Sequence, residues 1–207
     1  MDGLIGCRTL HERWDETPLC GPNERGDYCE DFFGGDLAGI TEKLDYLASL
    51  HVTTLYLNPI FEAASNHRYD TADYETVDPL LGDEQDFRTL CTEAEKRGIR
   101  VMLDGVFNHV GRSFPAFRDA LAGHGHESMF HITRNAGGGV DYRRFEGHPE
   151  LPELNHDSEE VVRLVTDVML HWLRRGASAW RLDAAYDAWE ASPCLVVTCG
   201  AQGADEP

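Results

Sequence analysis

The sequence predicts an α/β protein built around a parallel sheet, and three observations carry that prediction. An amphipathic helix followed directly by a short apolar or β-branched strand occurs three times along the chain. Each of the three strands ends in polar residues rather than in a tight turn. The segments between them are long enough for the crossover that parallel neighbours need, whereas antiparallel hairpins close in a few residues.

In the first unit Leu37, Ile40, Leu44, Leu47 and Leu50 recur at helical spacing, and the run at 52–57 reads as a strand. The second opens on Asp83 and Asp86, a capping pattern ahead of Phe87, Leu90, Cys91 and Ala94. Gly98 stops that helix before a strand at 99–103. The third begins at Ser158, whose hydroxyl can cap a helix with Glu159 and Glu160 in its first turn and Arg174 and Arg175 in its last. Val161, Leu164, Val165, Val168, Met169, Trp172 and Leu173 form its apolar face, Gly176 ends it, and a strand at 178–182 follows.

Between 110 and 157 the pattern lapses into glycine pairs, histidines and prolines, so this stretch reads as an irregular insertion, too long for an ordinary loop and placed where a lid or small subdomain belongs. The chain accordingly divides into an irregular segment at 1–31 with no clear strand, a first sheet portion at 32–109, the insertion at 110–157, a helix and strand at 158–186, and a tail at 187–207.

Composition excludes several functions. With 37 acidic against 18 basic residues in 207, the formal net charge is -19, and such a chain repels a phosphate backbone and an anionic membrane surface. Nucleic acid and membrane partners are not expected. No window approaches the roughly 18 apolar residues of a spanning helix, and the start lacks a basic and apolar leader, so a cytoplasmic product is expected. The 6 cysteines are too scattered for a zinc ribbon or redox pair and read as buried or incidental thiols. His124, His126 and His131 lack further ligands at metal spacing and read as a solvated loop.

The chemistry gathers at the strand ends: Asn58 after the first, Asp104 with Asn108 and His109 at the second, Arg181 with Asp183 at the third. In a parallel sheet or barrel these ends form one face, so the groups converge. Arg181 and Asp183, two apart, lie on one side of their strand. A guanidinium beside a carboxylate favours its ionised form, which a nucleophile or electrostatic stabiliser requires.

Six ordered blocks carry a family resemblance: Phe32-Phe-Gly-Gly-Asp-Leu-Ala-Gly-Ile40 with Leu44-Asp-Tyr-Leu47, Leu57-Asn-Pro-Ile-Phe61, Asn66-His-Arg-Tyr-Asp-Thr-Ala-Asp-Tyr74 with Val77-Asp-Pro79, Asp104-Gly-Val-Phe-Asn-His109, Leu151-Pro-Glu-Leu-Asn155 and Trp180-Arg-Leu-Asp-Ala184. They resemble the alpha-amylase family of glycoside hydrolases (family 13), and within it the cyclomaltodextrinase, neopullulanase and maltodextrin glucosidase enzymes. The resemblance implies the N-terminal half of a TIM (β/α)8 barrel, with 110–157 as the subdomain inserted after the third barrel strand. It implies a retaining α-glucosidic hydrolase of carbohydrate metabolism acting on maltodextrins or related α-glucans. Asp183 would be the nucleophile and Arg181 its charge partner, Asp104 and His109 would line the glucose subsite, and Tyr69 would stack on the sugar with Asp70 nearby. No cofactor is required, although Asn108 matches a position that ligates calcium in some members.

Two departures shape the expectation. A retaining mechanism needs two carboxyl groups about 5–5.5 Å apart, and the family's acid, a glutamate on the next barrel strand, has no counterpart: Glu190 follows too closely behind Asp183. His51 stands at a helix end where relatives place glycine. The chain therefore reads as an incomplete barrel with negligible activity of its own, and an open sheet edge invites self-association. The alternatives are a non-catalytic carbohydrate-binding or assembly protein on the same barrel portion, or a frameshifted product without function.

Overall fold

The computed structural model describes residues 9–19 and 30–185. The expected tail at 187–207, and every cysteine but Cys91, lie outside the described residues. In chain order the elements are β1 (Thr9–His11), β2 (Asp31–Phe33), α1 (Leu37–Glu42), α2 (Leu44–Ser49), β3 (Thr54–Leu57), β4 (Phe61–Ala63), β5 (Thr71–Val77), α3 (Glu84–Glu95), β6 (Arg100–Gly105), α4 (Pro115–Ala122), β7 (Ile132–Arg134), β8 (Val140–Tyr142), α5 (Glu159–Leu173) and β9 (Ala179–Leu182).

The three expected strands form one parallel sheet in the order β3-β6-β9. Its two faces differ. Val101 and Leu103 are buried beneath the helices, with Leu55 and Trp180 packed against the same core, whereas Tyr56 and Arg181 on the opposite face are exposed. Alternation along each strand assigns the faces, and the polar one is the interior side of a barrel that the described residues do not close.

Helix ends follow their sequence signals. Asp83 and Asp86 form a reciprocal capping box on α3, and the Ser158 hydroxyl accepts from the Glu160 amide to start α5. The single first helix of the sequence reading breaks at Lys43 into α1 and α2. His51 then turns the chain into β3 with φ of 59°, the left-handed conformation that favours glycine. Arg174 and Arg175 fall at and beyond the cap of α5 rather than in its last turn; Arg175 reaches α3 to pair with Glu84 at 2.7 Å. Gly176, at φ of 116°, lies so close to α3 that an added Cβ would stand 2.7 Å from that of Cys91.

Short elements appear in two segments where the sequence shows no pattern. Residues 1–31 hold a strand after all: β1 runs parallel to β2, Leu10 opposite Phe32, and three residues are too few to show a period. The insertion at 110–157 carries a few short regular elements within its irregular course. It contains α4, capped by left-handed Gly123, and the antiparallel hairpin β7-β8, and Phe117 packs edge-on against Phe130 and Tyr142 at 5.0 and 4.9 Å. Its elements are shorter than the window over which periodicity shows.

The hairpin β4-β5 joins this frame to the site. Phe61 and Phe87 bracket the fully buried Trp172 of α5 at 5.2 and 5.1 Å, and the Trp172 indole donates to the Tyr74 carbonyl at 2.7 Å. The loop leading into β5, which carries Tyr69 and Asp70, is thereby fixed beside the ends of β6 and β9.

Candidate active site

Register brings the charged groups together. Asp104 on β6 is the direct partner of Arg181 on β9, so their side chains leave the same face of adjacent strands, and Asp183 follows two residues on, its amide donating to the Gly105 carbonyl at 3.0 Å. Arg181 Nη1 donates to both oxygens of Asp104 at 3.1 Å and to Asp183 Oδ1 at 2.5 Å. Burial works against the guanidinium charge, but the two carboxylates outweigh it and push its pKa up, so it stays cationic.

Asp104 has no solvent exposure at its side chain. An isolated buried carboxylate costs several kcal/mol, and here three donors offset that cost: Arg181, the Tyr69 hydroxyl at 3.1 Å and the Tyr56 hydroxyl, the two phenols sharing Oδ2. Burial first, then Asp104, raises the Tyr56 pKa; burial, with Asp104 and Asp183, raises that of Tyr69, so both phenols remain donors.

His109 is buried, stacks on Phe145 of the insertion at 4.5 Å, and places Nε2 3.1 Å from the Tyr69 carbonyl. A carbonyl only accepts, so Nε2 carries the proton. Nδ1 is buried without a partner, and burial lowers the imidazole pKa to about 4, against the pull of Asp183. His109 is a neutral clamp on the backbone of Tyr69.

The structure thus joins Tyr69, Asp104, His109, Arg181 and Asp183 in one hydrogen-bonded set. Asp70 is placed differently: its buried carboxylate accepts from the Ser65 amide and hydroxyl and shapes the loop from within. Asn58 is exposed beyond β3 and, with Tyr56 and Arg68, lines a groove of about 670 Å3. Tyr56 was not singled out in the sequence, because its contact with Asp104 depends on the register between β3 and β6.

Calcium needs about 6–8 oxygen ligands. The buried polar atom that Asn108 leaves unpartnered is its amide nitrogen, and no group of three or more His, Cys, Asp or Glu side chains among the described residues could hold a metal ion. The Asn108 side chain offers a single oxygen, and no calcium is invoked in the chemistry. His126 is held by Glu160 at 2.5 Å.

A parallel α/β sheet with carboxylates and a guanidinium at the C-terminal ends of its strands has the layout of the barrel enzymes. The particular family is a hydrolase one: the chain belongs to the alpha-amylase family, whose model, "Alpha amylase, catalytic domain", matches residues 9–193. The match begins well ahead of the block at Phe32 and runs past the last block, at 180–184. The chain is 46% identical over 161 residues to a cyclomaltodextrinase of Geobacillus thermopakistaniensis, covering 74% of this chain and 27% of the relative. To neopullulanase 2 of Thermoactinomyces vulgaris it is 42% identical, covering 75% and 28%. Among solved structures, the type III pullulan hydrolase from Thermococcus kodakarensis superposes with a TM-score of 0.76 at 37% identity, over 88% of this chain and 32% of that one. The chain spans about a quarter of the length of the curated relatives it matches. The family is one of glycoside hydrolases with a TIM barrel as catalytic domain. Among the described residues no helix is long and apolar enough to cross a membrane.

Proposed function

We propose that Asp183 is the nucleophile of a retaining α-glucosidic hydrolase acting on maltodextrins or related α-glucans in the cytoplasm. The observation that carries this reading is the sharing of Arg181 Nη1 between Asp104 and Asp183. One oxygen of Asp183 is held by a cation, which fixes the carboxylate and leaves Oδ2 to attack the anomeric carbon. Asp104, saturated by donors, is the anchor of that cation and not the attacking group. Tyr69, with its hydroxyl on Asp104 and its carbonyl clamped by His109, presents its ring to the sugar at the scissile bond, and Asp70 keeps the loop that carries it in shape.

The reading assigns a nucleophile and no general acid, so it is tested on a donor whose leaving group departs unprotonated. With 5-fluoro-α-D-glucopyranosyl fluoride, an Asp183 oxygen bonds to C1 as the C1–F bond breaks and fluoride leaves with the electron pair. The second fluorine disfavours the oxocarbenium-like transition state and preserves the ester. The expected result is one added fluoroglucosyl mass, mapped to Asp183 and absent in Asp183→Asn. Natural maltodextrins are expected to turn over at least about 100-fold more slowly than in an enzyme with its acid in place. Labelling elsewhere, or none in the folded chain, overturns the assignment; saturable maltodextrin binding without labelling marks a binding protein instead.

A further inference from the structure

We infer that Tyr56 is a positioning residue for the attack by Asp183, acting through the carboxylate of Asp104. The inference rests on the reading of Asp183 as nucleophile and extends it to β3, a strand that carries neither the nucleophile nor its charge partner.

Its basis is a division of labour around one carboxylate. Tyr56 stands opposite Met102 in the β3-β6 register, which puts its side chain on the face from which Asp104, two residues further along β6, also projects. Arg181 reaches the same carboxylate from β9 and Tyr69 reaches it from the loop before β5. Asp104 is thus held from three directions. The backbone fixes where its Cα sits; the donors fix how its carboxylate is turned.

Arg181 is less constrained. Its side chain is 43% exposed, and its ion pairs among the described residues are with the two carboxylates: two oxygens of buried Asp104, and one of Asp183, itself only 17% exposed. The end of a long, half-exposed side chain goes where its buried partner directs it. Tyr56 and Tyr69 share Oδ2. Removing the Tyr56 donor leaves a buried charge short of a hydrogen bond, so the carboxylate gains by rotating toward Arg181 and drawing the guanidinium with it. The contact that holds Asp183 then loosens.

The chemistry of Tyr56 supports a polar role over a packing one. The residue is 44% exposed and stands outside the buried core, and phenylalanine would fill the same space. What tyrosine adds is a hydroxyl that burial and Asp104 keep protonated.

The test uses the 207-residue chain and the same glycosyl fluoride. In Tyr56→Phe the limiting rate of labelling at Asp183 is expected to fall about tenfold, the loss expected of one hydrogen bond to a buried charge. The donor concentration for half-maximal rate should stay within about twofold, because Tyr69 keeps its own bond to Asp104 and its carbonyl stays clamped by His109. In an Asp104→Asn background, where the charge to be oriented is gone, Tyr56→Phe should change the rate less than about twofold. A residue that merely stabilised the fold would show neither the split nor the dependence on Asp104. Should Tyr56→Phe fail to give the native circular dichroism, Tyr56→Leu, which also lacks the hydroxyl, takes its place.

The outcomes separate. No labelling of the parent chain removes the nucleophile assignment and this inference with it. Labelling of the parent, blocked by Asp183→Asn but unchanged in rate by Tyr56→Phe, overturns the inference and leaves the nucleophile standing. So does a Tyr56→Phe loss that persists in full without the Asp104 charge.

Discussion

At the scale of single residues, His109 shows how burial sets the protonation state of an imidazole. Its imidazole has a pKa near 4 in the folded chain against 6.5 in the unfolded one, because burial penalises the charge. The unfolded state therefore binds the extra proton between these values. The stability this neutral histidine permits is intact above pH 6.5 and is lost as pH falls toward 4, by about 3 kcal/mol in all. His109→Gln, which can still donate to the Tyr69 carbonyl but does not titrate, should lose about 5–10 °C less in melting temperature over that window than the parent. Parallel pH-melting curves would contradict the assignment of a neutral buried imidazole. The pairing of Arg181 with Asp183 was legible in the sequence because two residues apart on a strand means one face. The saturation of Asp104 by two tyrosines was not, since it joins residues 48 and 35 positions away.

At the scale of elements, legibility followed length. The helices α3 and α5, of 12 and 15 residues, announce themselves by caps and by an apolar stripe, and both lie where the sequence puts them. Three-residue strands such as β1, β7 and β8 offer too few positions for any alternation to show. Close backbone approaches are equally silent in sequence. Gly111 donates to the Thr71 carbonyl at 2.8 Å, and an added Cβ would stand 2.3 Å from the Asp70 carbonyl oxygen. That contact locks the start of the insertion to the loop carrying Tyr69. Gly111→Ala must push this loop away, at about 1–3 kcal/mol of stability, and should slow labelling at Asp183 because Tyr69 moves with it. Asp83→Ala, which removes the cap of α3 far from the site, should cost about 1 kcal/mol with labelling unchanged. Equal effects of the two on labelling would show that loss of stability alone, and not the Tyr69 loop, governs the rate.

For the whole molecule, charge decides how it responds to its solvent. The 37 acidic residues exceed the 18 basic ones by more than ion pairing can absorb, leaving a formal net charge of -19. The surface pairs that do form, such as Arg97 with Asp45 at 2.6 Å and Lys96 with Glu93 at 2.6 Å, are exposed contacts of a kind worth about 0–1 kcal/mol each. Salt weakens both terms, and the repulsion is the larger, since it sums over many unpaired carboxylates that unfolding would spread apart. Shortening the Debye length from about 30 Å at 0.01 M to about 8 Å at 0.15 M should therefore raise the melting temperature by several degrees. The form of the curve identifies the cause: screening does most of its work below about 0.5 M, whereas exclusion of salts or osmolytes from the surface keeps adding stability beyond that. A melting temperature that is flat from 0.01 to 0.5 M sodium chloride, or that falls, would mean that the ion pairs outweigh the net charge and that the acidic surface carries no strain.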